Sequence, residues 1–313
     1  MRYPGSKSRF AKLIAAAIRH NGVRDALFVE PFCGGASVSV ALLEAGVVER
    51  IALNDADPDI ASFWEVVFDP DAARWLAEQV ASVPLTLAEW DRQKALAPSG
   101  TREAALRCLY LNRTSFNGII HWRAGPIGGR AQAKRTLDVR FNRERLASRI
   151  LELSRLSDRV AAVDGVHWKS FVDRLRDEPN AFFYLDPPFY HKAETLYQHC
   201  FSDAEHRALR NYLRKLRARW ILSYDDAPEV RALYQGLDFR ARVIDSVYSA
   251  HPVGGQSFIG RELLYTNLPG FVSADGPDYD TDGMSILDID HGIPSDGPVR
   301  RPYSASALTA CAD

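Results

Sequence analysis

Apolar and polar positions along the chain fall into two rhythms. Residues 8–20, "SRFAKLIAAAIRH", place Phe10, Leu13, Ile14 and Ala17 at helical spacing, and Asn21-Gly22 supplies a stop. The next segment, "ALFVEPFCGGASVSVALLEAG", predicts a strand to about Val29, a glycine-containing turn and a helix that stops near Gly46. "ERIALNDADPDIASFWEVV" repeats this plan, with a strand from Arg50 to Leu53, a polar turn and a helix from about Asp59. Strand–turn–helix units in series predict a parallel sheet of Rossmann-like type.

From Pro70 to about Arg155 the rhythm changes. Helical segments such as "DAARWLAEQV" and "REAALRCLYL" surround an irregular basic stretch, "NRTSFNGIIHWRAGPIGGRAQAKR". The sheet pattern then resumes with "RVAAVDG" as a short strand, "SFVDRLRD" as a helix and "AFFYLD" as a fully apolar, buried strand. "DAEHRALRNYLRKL" reads as a helix, "RWILSYDD" as a strand, and "ARVIDSVYSA" with "RELLYTNL" as a closing antiparallel pair. The expected architecture is an α/β sheet domain built from residues 1–57 and 146–270, with a helical, basic insert over 58–145.

Composition sharpens that picture in two places. The 313 residues carry a net charge of −1, an average over unlike parts. Residues 271–313 hold eight aspartates against two arginines, with Gly, Pro and Ser throughout, and predict a mostly disordered acidic tail. The rest has 37 Lys/Arg against 32 Asp/Glu, about +5, and residues 100–160 concentrate it, with 13 basic against 5 acidic side chains. Such a face suits a polyanion or is simply solvated. No apolar run approaches the roughly 20 residues that span a bilayer, and "MRYPGSKSRF" lacks the apolar core of a signal peptide. Four scattered cysteines (Cys33, Cys108, Cys200, Cys311) argue for a reducing, cytoplasmic setting and against a disulfide framework or zinc site. No metal is expected.

Three constellations carry candidate chemistry. "FVEPFCGGASVSV" sets a glycine-bearing turn between strand and helix, where backbone can approach a ligand closely. It is not G-x-G-x-x-G, because Gly34 and Gly35 are adjacent. About 20 residues on, Asn54-Asp55 ends the next strand, where an acidic residue accepts ribose hydroxyls or caps the following helix. Together these point to an adenosine-bearing cofactor. The third is Asp186-Pro187-Pro188-Phe189 at the end of the apolar strand. An amino nitrogen conjugated to a heterocycle is a poor nucleophile because its lone pair is delocalised. A carboxylate and a rigidly held carbonyl that accept its N–H bonds would localise that pair and stabilise the positive charge that develops on attack. Phe189 offers a face on which a flat base can stack.

In order along the chain, these elements resemble the Dam-type DNA adenine-N6 methyltransferases. The resemblance spans residues 1 to about 268 and rests on "RYPGSK", "VEPFCGG", "LNDADPDIASFW", "YLNRTSFNG", "RFN" and "DPPF". It implies a Rossmann-like methyltransferase sheet, S-adenosyl-L-methionine as cofactor and double-stranded DNA as substrate. By position, Tyr3, Lys7, the turn Glu30, Pro31, Phe32, Gly34 and Gly35, together with Asp55, Phe171 and Asp186, would bind the cofactor. Asp186, Pro187 and Phe189 would be catalytic, and the insert would recognise DNA through Arg113, Asn117, Arg123, Arg130, Lys134 and Arg135. Phe189 stands where the family usually has tyrosine, which keeps stacking and loses a hydroxyl contact. Ser170-Phe171 lacks the acidic residue that many relatives have before the aromatic.

The expected reaction is direct methyl transfer to N6 of an adenine flipped out of duplex DNA, with no covalent enzyme intermediate and Cys33 as a packing residue. D-P-P-[YF] also serves cytosine-N4 transfer, and related N-P-P-Y motifs serve glutamine methylation on proteins. The expected protein is a monomer, with a cognate restriction endonuclease acting separately as the protein partner that the resemblance suggests.

Overall fold

The structure, a computed structural model, describes residues 7, 10–120, 124–191, 200–253, 256–270 and 284–288, with backbone alone at 245–253, 256–260 and 284–288. Its strands are β1 (Leu27–Glu30), β2 (Arg50–Asn54), β3 (Val160–Asp164), β4 (Ala181–Leu185), β5 (Arg219–Asp225), β6 (Arg240–Val253), β7 (Gln256–Thr266) and β8 (Met284–Asp288). They form one sheet in the order β3-β2-β1-β4-β5-β7-β6-β8. The first five run parallel, whereas β7 inserts antiparallel between β5 and β6. The expected closing pair is therefore present, with its second strand lying inside the first.

Central strands are apolar on both faces because helices cover both. Phe28, Phe182 and Tyr184 feed one core, while Leu27, Val29, Phe183 and Leu185 feed the other, as the period of two requires. The first core is closed by α1 (Phe10–His20), α2 (Ser37–Glu44), α3 (Pro58–Val67), α4 (Pro70–Ser82), α5 (Leu87–Ala95), α6 (Thr101–Thr114) and α7 (Arg143–Ser154). The second is closed by α8 (Trp168–Leu175), α9 (Asp203–Leu213) and α10 (Pro228–Tyr234). Leu76, Val80 and Leu109 from the helical insert belong to the same buried cluster as Phe28 and Leu264 from the sheet.

Local chemistry sets the helix starts. Asp57 and Asp69 each accept a backbone N–H two residues on, and Pro58 and Pro70 occupy first helical positions, where no intrahelical donor is needed. Asn142, in the "RFN" motif, caps α7 through Arg145 N at 2.8 Å. Ser202 and Glu205 form a reciprocal capping box at α9. The motif's asparagine is therefore a helix signal.

The acidic tail departs from its expected disorder at one place. Met284–Asp288 forms β8, antiparallel to β6, with Ile286 opposite Ile244. "MSILD" is an apolar run in an otherwise polar segment, and the outer edge of β6 offers it unpaired backbone groups. The rest of the tail beyond Gly270 lies outside the described residues, as do Tyr3 and Arg123.

Phe28 stacks on Phe182 at 6.0 Å and on Tyr184 at 6.2 Å, fully buried, directly beneath the C-terminal edge of the parallel strands. Replacing it with alanine should cost about 3–5 kcal/mol of unfolding free energy. Urea denaturation at equilibrium would measure this, and a loss below about 1 kcal/mol would mean that the neighbouring rings collapse into the cavity.

Candidate active site

The C-terminal edge of the parallel strands gathers carboxylates. Glu30 ends β1, Asp55 follows β2, Asp186 follows β4 and Asp225 ends β5. Antiparallel β7 then brings Glu262 opposite Asp225 in register. In open α/β sheets this edge is where ligands bind.

Asp186 is the most elaborately held of the set. Its Oδ1 receives the Ser223 hydroxyl at 2.7 Å and lies 3.0 Å from the Lys7 ammonium. Tyr184 and Ser223 share a hydroxyl–hydroxyl hydrogen bond of 3.0 Å, which extends this network into the core. Lys7 also lies 2.8 Å from Glu262 Oε2 and sits 5.5 Å from the centre of the Phe189 ring. Asp186 Oδ2 accepts no hydrogen bond among the described residues, and the side chain is 23% exposed. Burial holds the Asp186 carboxyl above the usual carboxylate range, against the opposing pull of Lys7. Pro187 is buried, whereas Pro188 and Phe189 are half-buried. Beyond them, Tyr190 N donates to Asp225 Oδ1 at 3.1 Å, and the Tyr190 ring stacks on His206 at 4.7 Å, so the exit from Asp-Pro-Pro-Phe is tied at both backbone and side chain.

The β1–α2 turn is built around Gly34 and Asp55. Gly34 has φ +43°, in the left-handed region, and donates its N–H to Asp55 Oδ2 at 2.8 Å. Asp55 Oδ1 accepts Asp57 N at 2.9 Å, so this carboxylate ties two turns together, and each oxygen keeps a second lone pair. Trp64 Nε1 donates to Gly34 O at 2.8 Å and packs α3 under the turn. Asn54 donates to Pro31 O and Val166 O, both at 3.0 Å, and accepts Val166 N at 3.0 Å, which fastens the loop after β3 to the same edge. Burial pushes the Asp55 carboxyl up to about 7, with Asp57 adding to it. Glu30 accepts the Ser39 N–H at 3.3 Å and the Ser39 hydroxyl. Burial still pushes its carboxyl up to about 8, with the Asp186 and Asp55 charges helping.

Most of the sequence-predicted cofactor residues meet here. Lys7, Glu30, Pro31, Gly34, Asp55 and Asp186 converge, and half-buried Phe32 packs against Trp168 and Phe201 at the rim. Gly35 is also half-buried. Phe171 is a correction. It is 0% exposed in the core of α8, with Arg174 over its ring, so it offers no surface to a ligand. Val166, 38% exposed and fastened by Asn54, is the apolar group that faces outward in that neighbourhood. Sequence reasoning also missed Ser223 and Glu262, which carry no motif and are recognised only once β5 and β7 are paired.

Among its described residues, the insert's basic stretch is held by its own backbone and side-chain hydrogen bonds. Ser115 bridges Pro126, Phe116 N donates to Gly125 O at 2.9 Å, and Asn112 Nδ2 donates to Gly118 O at 2.9 Å. Gly128, at φ +81°, lies where an added Cβ would meet Arg135 O at 1.8 Å, so the two strands of the loop touch backbone to backbone there. Lys134 and Arg135 are exposed at its surface, while Arg113 and Asn117 are half-buried. Arg130 makes a two-pronged ion pair with Asp91, 2.7 Å at each prong, above the Trp90 ring. Phe116 is 50% exposed, an aromatic ring at the surface where this loop starts.

An open α/β sheet with a glycine turn, an acidic residue after β2 and a buried acid-base cluster after β4 defines a cofactor-dependent enzyme of the nucleotide-binding class. A family model, D12 class N6 adenine-specific DNA methyltransferase, matches residues 3–250, and the chain belongs to that family. It is an adenine-specific DNA methyltransferase that uses S-adenosylmethionine as methyl donor, which leaves cytosine-N4 and protein-glutamine transfer without support. No curated protein matches the chain. No helix among the described residues is long and apolar enough to cross a membrane.

The raised carboxyl of Glu30 makes stability depend on pH. Its folded-state value of about 8 lies above the ordinary 4.5, so its contribution is full below pH 4.5 and is lost as pH rises through 8. In the cofactor-free protein the melting temperature should fall across that window. Glu30→Gln should flatten the fall, leaving what Asp55 contributes between its ordinary 3.8 and about 7 and Asp59 between 3.8 and about 6. Scanning calorimetry from acid to alkaline pH measures both, and an unchanged slope in the variant would assign the titration elsewhere.

Proposed function

We propose that methyl transfer to adenine N6 takes place at Asp186-Pro187-Pro188-Phe189, with the cofactor between the Glu30–Gly35 turn and Asp55, and DNA held by the insert over 58–145. The observation that carries this reading is the state of Asp186. One oxygen is pinned by Ser223 and Lys7, and the other accepts no hydrogen bond among the described residues, on a partly exposed carboxylate. That is the arrangement an amino-group acceptor needs.

S-adenosylmethionine supplies a methyl group on a positively charged sulfur. The residues present fit it: Asp186 and Glu262 outnumber Lys7 and suit a cation, half-buried Asp55 retains lone pairs for sugar hydroxyls, and Gly34 keeps the turn free of a side chain. Phe32 and Val166 supply apolar surface at the rim. Asp186 Oδ2 accepts one N6–H of the target adenine and the backbone carbonyl after it accepts the other, which the prolines hold rigid. Held this way, N6 keeps its lone pair localised for the methyl group that the cofactor would supply, and the proton released from N6 would pass by way of Asp186 Oδ2 to solvent. Phe189 stacks on the base, while Lys7 keeps the carboxylate in place.

Flipping the adenine costs a few kcal/mol, which stacking and phosphate contacts offset. Exposed Lys134 and Arg135 are the natural phosphate contacts. Arg130 can exchange Asp91 for phosphate, because an exposed ion pair is worth about 0–1 kcal/mol. Phe116 extends the DNA-facing surface with an aromatic ring. A reducing, cytoplasmic setting suits Cys33, Cys108 and Cys200, which form no disulfide among the described residues.

Two measurements test this assignment. Asp186→Ala should retain fold and DNA affinity while turnover falls on the order of 100- to 1,000-fold. Turnover near wild type in that variant would remove Asp186 from the mechanism. Reversing Lys134 and Arg135 to glutamate should weaken DNA binding and lower the slope of log affinity against log salt by about 0.9 for each phosphate that is no longer neutralised. A slope equal to wild type would move the DNA to another face.

A further inference from the structure

We propose that Glu262 is a positioning residue for methyl transfer, which takes up part of the Lys7 charge so that Asp186 keeps its negative character toward the amino group it accepts. The inference rests on the reading of Asp186 as the acceptor. Lys7 lies 3.0 Å from Asp186 and 2.8 Å from Glu262, with Lys7 5% and Glu262 6% exposed. If Lys7 and Asp186 stood alone, they would form a neutral pair. A carboxylate neutralised at contact distance is a poor partner for a nitrogen that is becoming positive. With Glu262 the three side chains sum to −1, and in a site shielded from water that unit of charge acts strongly.

The strand pairing fixes the arrangement. Glu262 is opposite Asp225 in the β5–β7 ladder, and Ser223, two residues back on β5, donates to Asp186. One antiparallel ladder therefore delivers both the hydrogen bond that orients Asp186 and the carboxylate that competes for its counter-ion. Among the described residues, the groups around Asp186 are Lys7 from the segment before α1, Tyr184 on β4, Ser223 and Tyr224 on β5, Glu262 on β7 and Glu30 on β1, and Asp225 on β5 faces Lys7 as well. Burial raises the Asp186 carboxyl most, Lys7 lowers it, and Glu262 raises it again. Burial opposes the charge on Lys7, yet Asp186 and Glu262 together hold the ammonium well above its usual range.

The test measures steady-state methylation of unmethylated plasmid DNA by the intact enzyme, at saturating cofactor, from about pH 5 to about pH 9. In wild type the rate rises with pH as Asp186 ionises. Glu262→Gln should lower kcat on the order of 10-fold, less than the loss of a direct acceptor. It should also move this acidic limb to lower pH, because Lys7 then serves Asp186 alone, while KM for DNA is unchanged. Glu262→Asp, which keeps the charge, should leave the limb near its wild-type position. Lys7→Met should move the limb the other way, to higher pH, since two buried carboxylates lose their common cation. A folded Glu262→Gln enzyme with an unmoved limb overturns the proposal. If that variant does not fold, an unmoved limb in Lys7→Met overturns it equally. Asp186→Asn in the same assay separates the two readings. Turnover near wild type there would remove the acceptor itself, whereas a dead Asp186→Asn enzyme beside silent Glu262 variants would sink only the role given to Glu262.

Discussion

A lysine ammonium buried between two carboxylates is the interaction on which the rest of this structure depends. Isolated, each of these charges would be costly to remove from water, and together they are tolerable only in contact geometry. Lys7, Asp186 and Glu262 are far apart in sequence, so satisfying them requires the segment before α1, the end of β4 and the register of β7 to be right at once. Phe10 N donates to Lys7 O at 2.8 Å, which starts α1 directly from the buried lysine. At the other end of that helix, Asn21 bonds Gly270 through both its amide groups, and the close of the sheet domain is fastened to its opening helix.

Two regions of opposite sign follow from the same chain. The strand edge is acidic and suits a cationic donor, while the insert exposes Lys134 and Arg135 and suits phosphate. On the proposed reading this polarity has a geometric meaning. A duplex docked on the insert finds its phosphates repelled by the acidic edge, so the part of the substrate that can approach Asp186 is an uncharged base swung out on its sugar. Electrostatics and base flipping then select for the same pose.

β4 was legible because "AFFYL" is apolar without interruption, which suits a strand covered on both faces, and all five of its residues are buried. The turn from Glu30 to Gly35 and the carboxylates Asp55 and Asp186 were legible because each sits where a strand stops. Phe171 was placed by the resemblance alone, which carries no burial, and the amphipathic face of α8 turns it into the core. Ser223 and Glu262 were invisible for a different reason. One is a small polar residue inside an apolar strand and the other an ordinary glutamate, and only the pairing of β5 with β7 gives them a common neighbour. The strand in the acidic tail escaped notice because its partner edge is a property of the finished sheet.

That strand has a consequence for how the molecule behaves among its own copies. β6 is one of the longest strands, Arg240–Val253, and its outer side would otherwise present a row of unpaired backbone donors and acceptors. An open edge of this kind is a template for any extended chain that meets it. By laying Met284–Asp288 along Arg242–Ser246, the polypeptide occupies part of that template itself. That stretch of β6 is then closed to the edge of a second copy, so association by strand addition has fewer backbone groups to use there.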